Sequence, residues 1–180
     1  FTRTLYLLEL PDTKEATLAE GLKVFRDYAD GLLLKIEEID RDAATMTLKA
    51  GTLLQTAQEM AAEAGFLFPV DLGARGSCTV GGNIATNAGG LHVIRDGMTR
   101  DNLLGIEAVL ADGTVLSNLG KMVKNNTGYD LRHLFAGSEG TLGVITRAVF
   151  RLRPLPRTRA TAICALDSYA AVLALLARSR

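Results

Sequence analysis

The sequence holds only two cysteines, Cys78 and Cys164, and two histidines, His92 and His133, among 180 residues. That scarcity excludes a disulfide framework and any zinc centre built mainly from these side chains, so no metal is expected. Net charge is lacking as well: 20 Lys and Arg balance 20 Asp and Glu. Without a uniform positive field, no nucleic-acid partner is expected. Long hydrophobic runs are also missing. No apolar stretch approaches the roughly 20 residues that cross a bilayer, and no basic segment leads into an apolar run. The expectation is a soluble protein of a reducing compartment, cytoplasmic, with peripheral membrane association left open. The length suits one ordinary domain or two very small ones, and no internal repeat is visible.

What is present divides into short periodic segments around a long aperiodic one. TLYLLEL reads as a strand, and the residues after it place Leu18, Leu22, Phe25 and Ala29 on one helical stripe, opened by Asp12 and Glu15 at capping-box spacing. ATMTLKAG alternates Met46, Leu48 and Ala50 against Thr45, Thr47 and Lys49, the pattern of a half-buried strand. Thr52 and Gln55 then form a second capping box, before a helix facing inward through Leu53, Ala57, Met60 and Ala64 and stopped by Gly65. Further on, Asp112-Gly113 joins two apolar runs as a hairpin. A short helix is expected over Tyr129 to Phe135. GVITRAVFRLRP sets Ala148, Phe150 and Leu152 against Arg147, Arg151 and Arg153, a strand wetted on one side and ended by Pro154 and Pro156. ATAICAL is expected as another strand, with Cys164 in the core. Asp167 or Ser168 then caps a helix through Val172, Leu173 and Leu176, whose apolar face lacks an evident partner.

Between Phe66 and Ile94 neither period holds, apart from a helical turn near Asn83 to Asn87. Within it GSCTVGGNIATNAGG, Gly76 to Gly90, contains no ionisable carboxylate, amine or guanidinium, but five Gly and six Ser, Thr, Asn or Cys. Glycine lets the main chain approach a ligand without a Cβ and lets consecutive N–H groups point into one anion-holding nest. The hydroxyls and amides of Ser77, Thr79, Asn83, Thr86 and Asn87 complete the hydrogen bonds of a polar ring without adding charge. A flexible surface loop is the bland alternative, and Val80, Ile84 and Ala85, woven through the segment, argue against it. The ribbon is not GxGxxG, and no Gly-Lys-Ser/Thr follows. A second glycine cluster, GSEGTLGVIT, leads into the Arg-edged strand. In it Glu139 reads either as a surface carboxylate or as an acceptor that fixes the loop.

FPVDLGARGSCTVGGNIATNAGG, VLADGTVL and KNNTGYDLRHLFAGSEGTLGVITRAVFRLRP together resemble the flavin-dependent 2-hydroxyacid dehydrogenases of the vanillyl-alcohol-oxidase superfamily, with its PCMH-type FAD-binding fold. The likeness is to the glycolate oxidase large-subunit and D-2-hydroxyglutarate or D-lactate dehydrogenase branch, and spans Ile36 to Pro156. It implies an α+β fold: the second subdomain of an FAD-binding domain, a mostly antiparallel or mixed sheet with flanking helices. Residues 35–156 would form this domain, residues 157–180 the start of a substrate or cap domain, and residues 1–34 a βα unit of uncertain origin, cap-like in character. The implied cofactor contacts are Pro69, Asp71, Leu72, Gly73, Gly76, Ser77, Cys78, Gly81, Gly82, Asn83, Thr86, Asn87, Gly89 and Gly90, with Glu139, Gly140, Gly143 and Ile145 near the adenine side.

The implied reaction passes hydride from a 2-hydroxy acid to flavin N5 and yields a 2-oxo acid. No catalytic residue is assigned. The partners would be a small 2-hydroxy acid, an electron acceptor the sequence does not identify, and either further copies or sister subunits. Two departures stand out: no RGGGTG-like pyrophosphate loop occurs, and the family's GGL-Arg-x-x-Arg-Tyr-Gly pattern reads GGLHVIRDG, with His92 and Asp96 in place of a larger cation and an aromatic ring. The chain is therefore expected to be a fragment or rearranged piece, with weak or absent FAD retention and no turnover alone. The rival readings are a non-catalytic FAD-domain-like subunit or scaffold, and a generic module holding another anion. Cys78, His92 and His133 are read as packing or surface residues. Lys124, by the resemblance, lies near the flavin edge.

Overall fold

The computed structural model describes residues 35–158 and 160–179. The strand and helix expected between Thr4 and Ala29 lie outside the described residues. The centre is a five-stranded antiparallel sheet of β1 (Ile36–Asp40), β2 (Thr45–Lys49), β4 (Leu103–Val109), β5 (Val115–Asn118) and β6 (Val144–Arg151), in the order β1-β2-β6-β4-β5. β6 occupies the middle because its eight residues are apolar enough to be buried between two neighbours. This is the α+β architecture expected, with the sheet wholly antiparallel among the described residues.

β1 escaped the sequence reading because a register shift between Ile36 and Glu38 interrupts the alternation of IEEID. The turn into β2 is local chemistry: Asp40 Oδ1 accepts the N–H groups of Asp42 at 3.1 Å and Ala43 at 2.9 Å. β2 is not half-buried as expected. Thr45 and Thr47 are buried along with Met46 and Leu48, since β2 lies inside the sheet and is flanked by β1 and β6. The hairpin between β4 and β5 forms where expected, through Ala111, Asp112 and Gly113. Gly113 N–H donates to the Leu110 carbonyl and Gly113 takes φ +85°, the left-handed position that lets the strands re-pair.

The first described helix, α1 (Leu54–Glu63), corrects the capping-box reading. Thr52 turns away from the helix and exchanges hydrogen bonds with the backbone of Lys35, at 3.2 and 3.3 Å. The N-cap is therefore Leu53, and the buried stripe is Leu54, Ala57 and Ala61, while Met60 is exposed. Gly65 ends the helix as expected, at φ +87°. β3 (Phe66–Leu67) pairs with β7 (Arg153–Pro154), so Pro154 does not break the chain but sits in a short edge ladder that asks no N–H of it. Phe68 packs on Phe150 with ring centroids 4.9 Å apart, joining this corner to the sheet core of Met46, Leu48, Ala148 and Phe150.

Four further helices follow: α2 (Val80–Ala85), α3 (Val93–Asp96), α4 (Thr99–Asn102) and α5 (Arg132–Phe135). α5 is shorter than the Tyr129 to Phe135 helix expected: Tyr129 and Asp130 are not helical, and Leu131 is the N-cap. The strand expected at ATAICAL is absent. The described residues from 160 to 166 are exposed and pair with no strand, and Cys164 is a free, exposed thiol instead of a core residue. A strand needs a partner edge, and none adjoins this one. α6 (Tyr169–Arg178) is capped by Ser168, whose Oγ accepts Ala171 N–H at 3.2 Å, and it buries no residue.

Candidate functional site

The glycine-rich ribbon is fastened to the corner where β2 gives way to α1. Val80 N–H donates to the Thr52 carbonyl at 2.8 Å and Gly81 N–H to the Ala50 carbonyl at 2.7 Å. In return, the Cys78 and Arg75 carbonyls accept the first amides of α1, those of Leu54 and Gln55, each at 3.0 Å. The helical turn expected near Asn83 to Asn87 begins earlier, because Thr79 caps it: its Oγ1 accepts Gly82 N–H at 3.3 Å. These bonds occupy several of the backbone donors that an anion nest would draw on. The N–H groups of Ser77, Cys78, Val80, Gly81, Gly82 and Asn83 all have acceptors within the chain.

The second glycine cluster closes on the first. Gly137 and Glu139 donate their N–H groups to the carbonyls of Ile84 (3.0 Å) and Ala85 (2.8 Å), with Glu139 at φ +52°. Arg100 ties both clusters together: its N–H donates to Asn87 Oδ1 at 3.0 Å and its Nη2 to the Ala136 carbonyl. Of the expected contacts, Gly81, Gly82, Gly140, Gly143 and Ile145 come together around a depression of about 30 Å³, completed by Ala50, Thr79 and Ala85. Thr79 was already marked by its hydroxyl. Ala50 and Ala85 carried only apolar signals, in the strand alternation and within the ribbon, and neither was marked as a contact.

The other expected contacts lie elsewhere. Gly73, Gly76, Ser77 and Gly90 are exposed, Gly89 is half-buried, and Pro69 is buried. Leu72 and Cys78 pack on the core, and Cys78 Sγ lies 3.6 Å from Nδ2 of buried Asn83. Thr86 Oγ1 donates back to the Gly82 carbonyl at 3.0 Å, and the exposed Glu139 is fixed through its backbone. Asp71 is held by Gln58, Arg75 and His92. His133, on the surface, lies 3.5 Å from Asp130.

The glycines thus serve different ends. A Cβ on Gly81 would stand 2.7 Å from Ala50 Cβ, and one on Gly90 or Gly143 would strike the carbonyl of Asp71 or Val109. Those three are required by the protein's own packing. Gly73 has nothing within 4 Å of such an atom, and Gly82 only Thr79 Oγ1 at 3.2 Å. At these two positions the missing Cβ faces little or nothing of the protein itself.

A second, larger cleft of about 400 Å³ lies between β4, β5 and the 120–135 segment. Leu104, Ile106, Leu116 and Phe135 are apolar in its lining, and Asn118, Asn125, Tyr129, Asp130 and Arg132 are polar. Burial pushes the Asp130 carboxyl up, but the Arg132 guanidinium at 2.9 Å and nearby His133 outweigh it and leave it below its usual range. Arg132 Nη1 also donates to the Leu104 carbonyl at 2.7 Å, so this cation is internally occupied. Lys124 is exposed. Among the described residues no group of three His, Cys, Asp or Glu could hold a metal, and no helix is long and apolar enough to cross a membrane.

The depression tests the cofactor that the ribbon suggested. Its lining carries no charge, and its small side chains leave a surface on which a flat ring can lie, which suits a flavin nucleotide. Its volume holds about one water molecule, so these residues fit FAD as one wall and not as an enclosing pocket.

Residues 21–118 match the family model described as FAD binding domain. The mitochondrial D-2-hydroxyglutarate dehydrogenase of Bos taurus is 50% identical over 131 residues, covering 73% of this chain and 24% of that protein. The D-2-hydroxyglutarate dehydrogenase of Xanthomonas citri pv. viticola is 44% identical over 147 residues, covering 82% and 30%. Among solved structures, an alkyldihydroxyacetonephosphate synthase superposes with a TM-score of 0.60 at 26% identity, over 69% of this chain and 22% of that one. The chain spans about a quarter of the length of the curated relatives it matches.

Proposed function

Because the chain belongs to the FAD binding domain family, whose cofactor is FAD, we propose that it contributes one wall of the FAD cleft in an oxidoreductase that converts a 2-hydroxy acid to a 2-oxo acid. The observation that carries this reading is the meeting of two glycine clusters in a wall of small, uncharged residues. On this reading residues 35–156 are the FAD-binding domain, mainly its second subdomain, and residues 157–180 begin a substrate domain. The substrate class follows the dehydrogenase names of the relatives.

When bound, FAD supplies two-electron acceptance for oxidation of the hydroxy acid. Thr79, Gly82, Ala85, Gly140 and Gly143 offer a ring a flat, uncharged surface beside the ends of the interior strands β2 and β6. The exposed backbone at Gly73 and Gly76 extends the track for the rest of the dinucleotide. None of the wall residues takes up a proton, so the group that accepts the substrate's hydroxyl proton lies outside this wall. For compartment, cytoplasmic placement is our proposal, beside the mitochondrial address in the bovine relative's name; fractionation of the source cells decides between them.

The test is amide chemical-shift mapping of the 180-residue chain with FAD at millimolar concentration. Shifts should concentrate at residues 79, 82, 85, 140 and 143, with weak affinity that dialysis removes. No shift at any of them, or shifts confined to the 400 Å³ cleft, would overturn the proposal. A second reading, an FAD-domain-like subunit without turnover, is favoured by the small enclosed volume. Colourless protein that takes up no added FAD would support it.

A further inference from the structure

We propose, resting on the FAD-wall reading, that Asp71 is a positioning residue: it clasps the two ends of the glycine ribbon and does not itself touch the cofactor. The Asp71 side chain is 14% exposed and surrounded by the chain's own donors. Gln58 Nε2, from α1, donates to Oδ1 at 3.1 Å and to the neighbouring Val70 carbonyl at 2.9 Å. Arg75 Nη1 lies 3.3 Å from Oδ1, and His92 Nε2 lies 3.6 Å from Oδ2. The Asp71 carbonyl accepts Leu91 N–H at 2.8 Å.

These partners come from three places: a rigid helix, the first arm of the ribbon, and its far end. One residue therefore closes the segment from 71 to 91 into a loop with pinned ends, of the compact kind whose ends lie close together. Gly90 is part of the same device. It takes φ +92°, and a Cβ there would collide with the Asp71 carbonyl, so the far end approaches this closely only as glycine. The middle of the loop is pinned independently at Ala50 and Thr52. Between these fixed points the stretch from Gly76 to Gly82 has little freedom left to lose when a ligand lies along it, which is how preorganisation raises affinity.

The charge argues the same way. A carboxylate is a poor direct partner for the anionic pyrophosphate of a dinucleotide. Beside Arg75 and His92 it serves as the anionic centre of an internal cluster. His92, where this sequence departs from the family pattern, thereby acquires a structural purpose, since its imidazole reaches back to Asp71 from the far end of the ribbon.

The experiment compares the full chain with Asp71→Ala and Asp71→Asn by amide hydrogen exchange and by FAD titration. In Asp71→Ala the exchange of Leu91 N–H should accelerate at least ten-fold while the amides of Ala148 and Val149 in the central strand keep their protection. FAD affinity should fall on the order of ten-fold. Asp71→Asn retains the size and the Gln58 contact but loses the ion pair with Arg75, so it should fall between, and it carries the test if the alanine variant does not fold. Loss of FAD affinity with unchanged Leu91 exchange would make Asp71 a direct contact and overturn the proposal. Unchanged exchange together with unchanged affinity would also overturn it. A wild-type chain that shows no response to FAD refutes the FAD-wall reading, while the clasp is then judged by exchange alone.

Discussion

Gly81 and Gly82 are neighbours in sequence with opposite reasons for being glycine, and replacing each by alanine separates them. A Cβ on Gly81 would sit 2.7 Å from Ala50 Cβ and 3.0 Å from the Ala50 carbonyl oxygen, against an ordinary contact of 3.4 Å or more. Ala50 directly follows β2, is buried and is bonded to the Thr146 carbonyl, so it cannot retreat freely and the overpacking should cost about 1–3 kcal/mol. Alanine regains about 0.5–1 kcal/mol over glycine in a helix, leaving a net loss centred on about 1 kcal/mol. In a domain of this size that lowers the melting temperature by roughly 2–4 °C. On Gly82 the same atom meets only Thr79 Oγ1 at 3.2 Å, which yields by a few tenths of an ångström. There the helical gain and the disturbed cap should cancel to within about 0.5 kcal/mol. Urea unfolding monitored by circular dichroism measures both variants, and amide-shift titration measures FAD. Gly81→Ala should be less stable than wild type, whereas Gly82→Ala should keep its stability and lose FAD binding. A Gly81→Ala protein as stable as wild type would refute the packing argument, and full FAD binding by Gly82→Ala would refute the wall.

Three further outcomes are expected. Phe150→Ala removes a fully buried ring that packs on Phe68 and should cost about 3–5 kcal/mol in urea unfolding at constant m-value; a loss below about 1 kcal/mol would contradict the assigned core. Asp40 is held below the usual carboxylate range, first by the Ala43 N–H and then by the Lys121 ammonium at 2.7 Å. A lowered folded-state pKa means that its contribution is present above the ordinary Asp value near ~4 and is lost as pH falls through the folded one. Asp40→Asn should therefore flatten the acid limb of a stability-against-pH curve below about pH 4, and an unchanged limb would count against the pairing. Ser168→Ala deletes the cap of α6, a helix with no buried residue to hold it, so amide shifts at residues 169–172 should move toward coil values, reflecting a loss of about 1 kcal/mol.

Much of this molecule was legible one residue at a time. Period-two alternation located β2 and β6, Asp112-Gly113 the hairpin, Gly65 the end of α1, and the pair Asp167 and Ser168 the start of α6, because each depends on the local preferences of a few consecutive residues. The uncharged composition of Gly76 to Gly90 and the glycine cluster after it singled out the segments that form the wall, and their motifs carried the family likeness. Tertiary structure decided what no local rule expresses. Thr52 leaves its capping position for Lys35, and the buried stripe of α1 begins at Leu54 instead of Leu53. Cys164 lies exposed because no strand edge adjoins its segment. Ala50 enters the wall only because Gly81 is bonded to its carbonyl. Above all, the division of the glycines between packing and open surface depends on which atoms stand opposite each one, and those atoms arrive from distant parts of the chain. A sequence states that a Cβ is missing; only the folded chain determines what occupies the space.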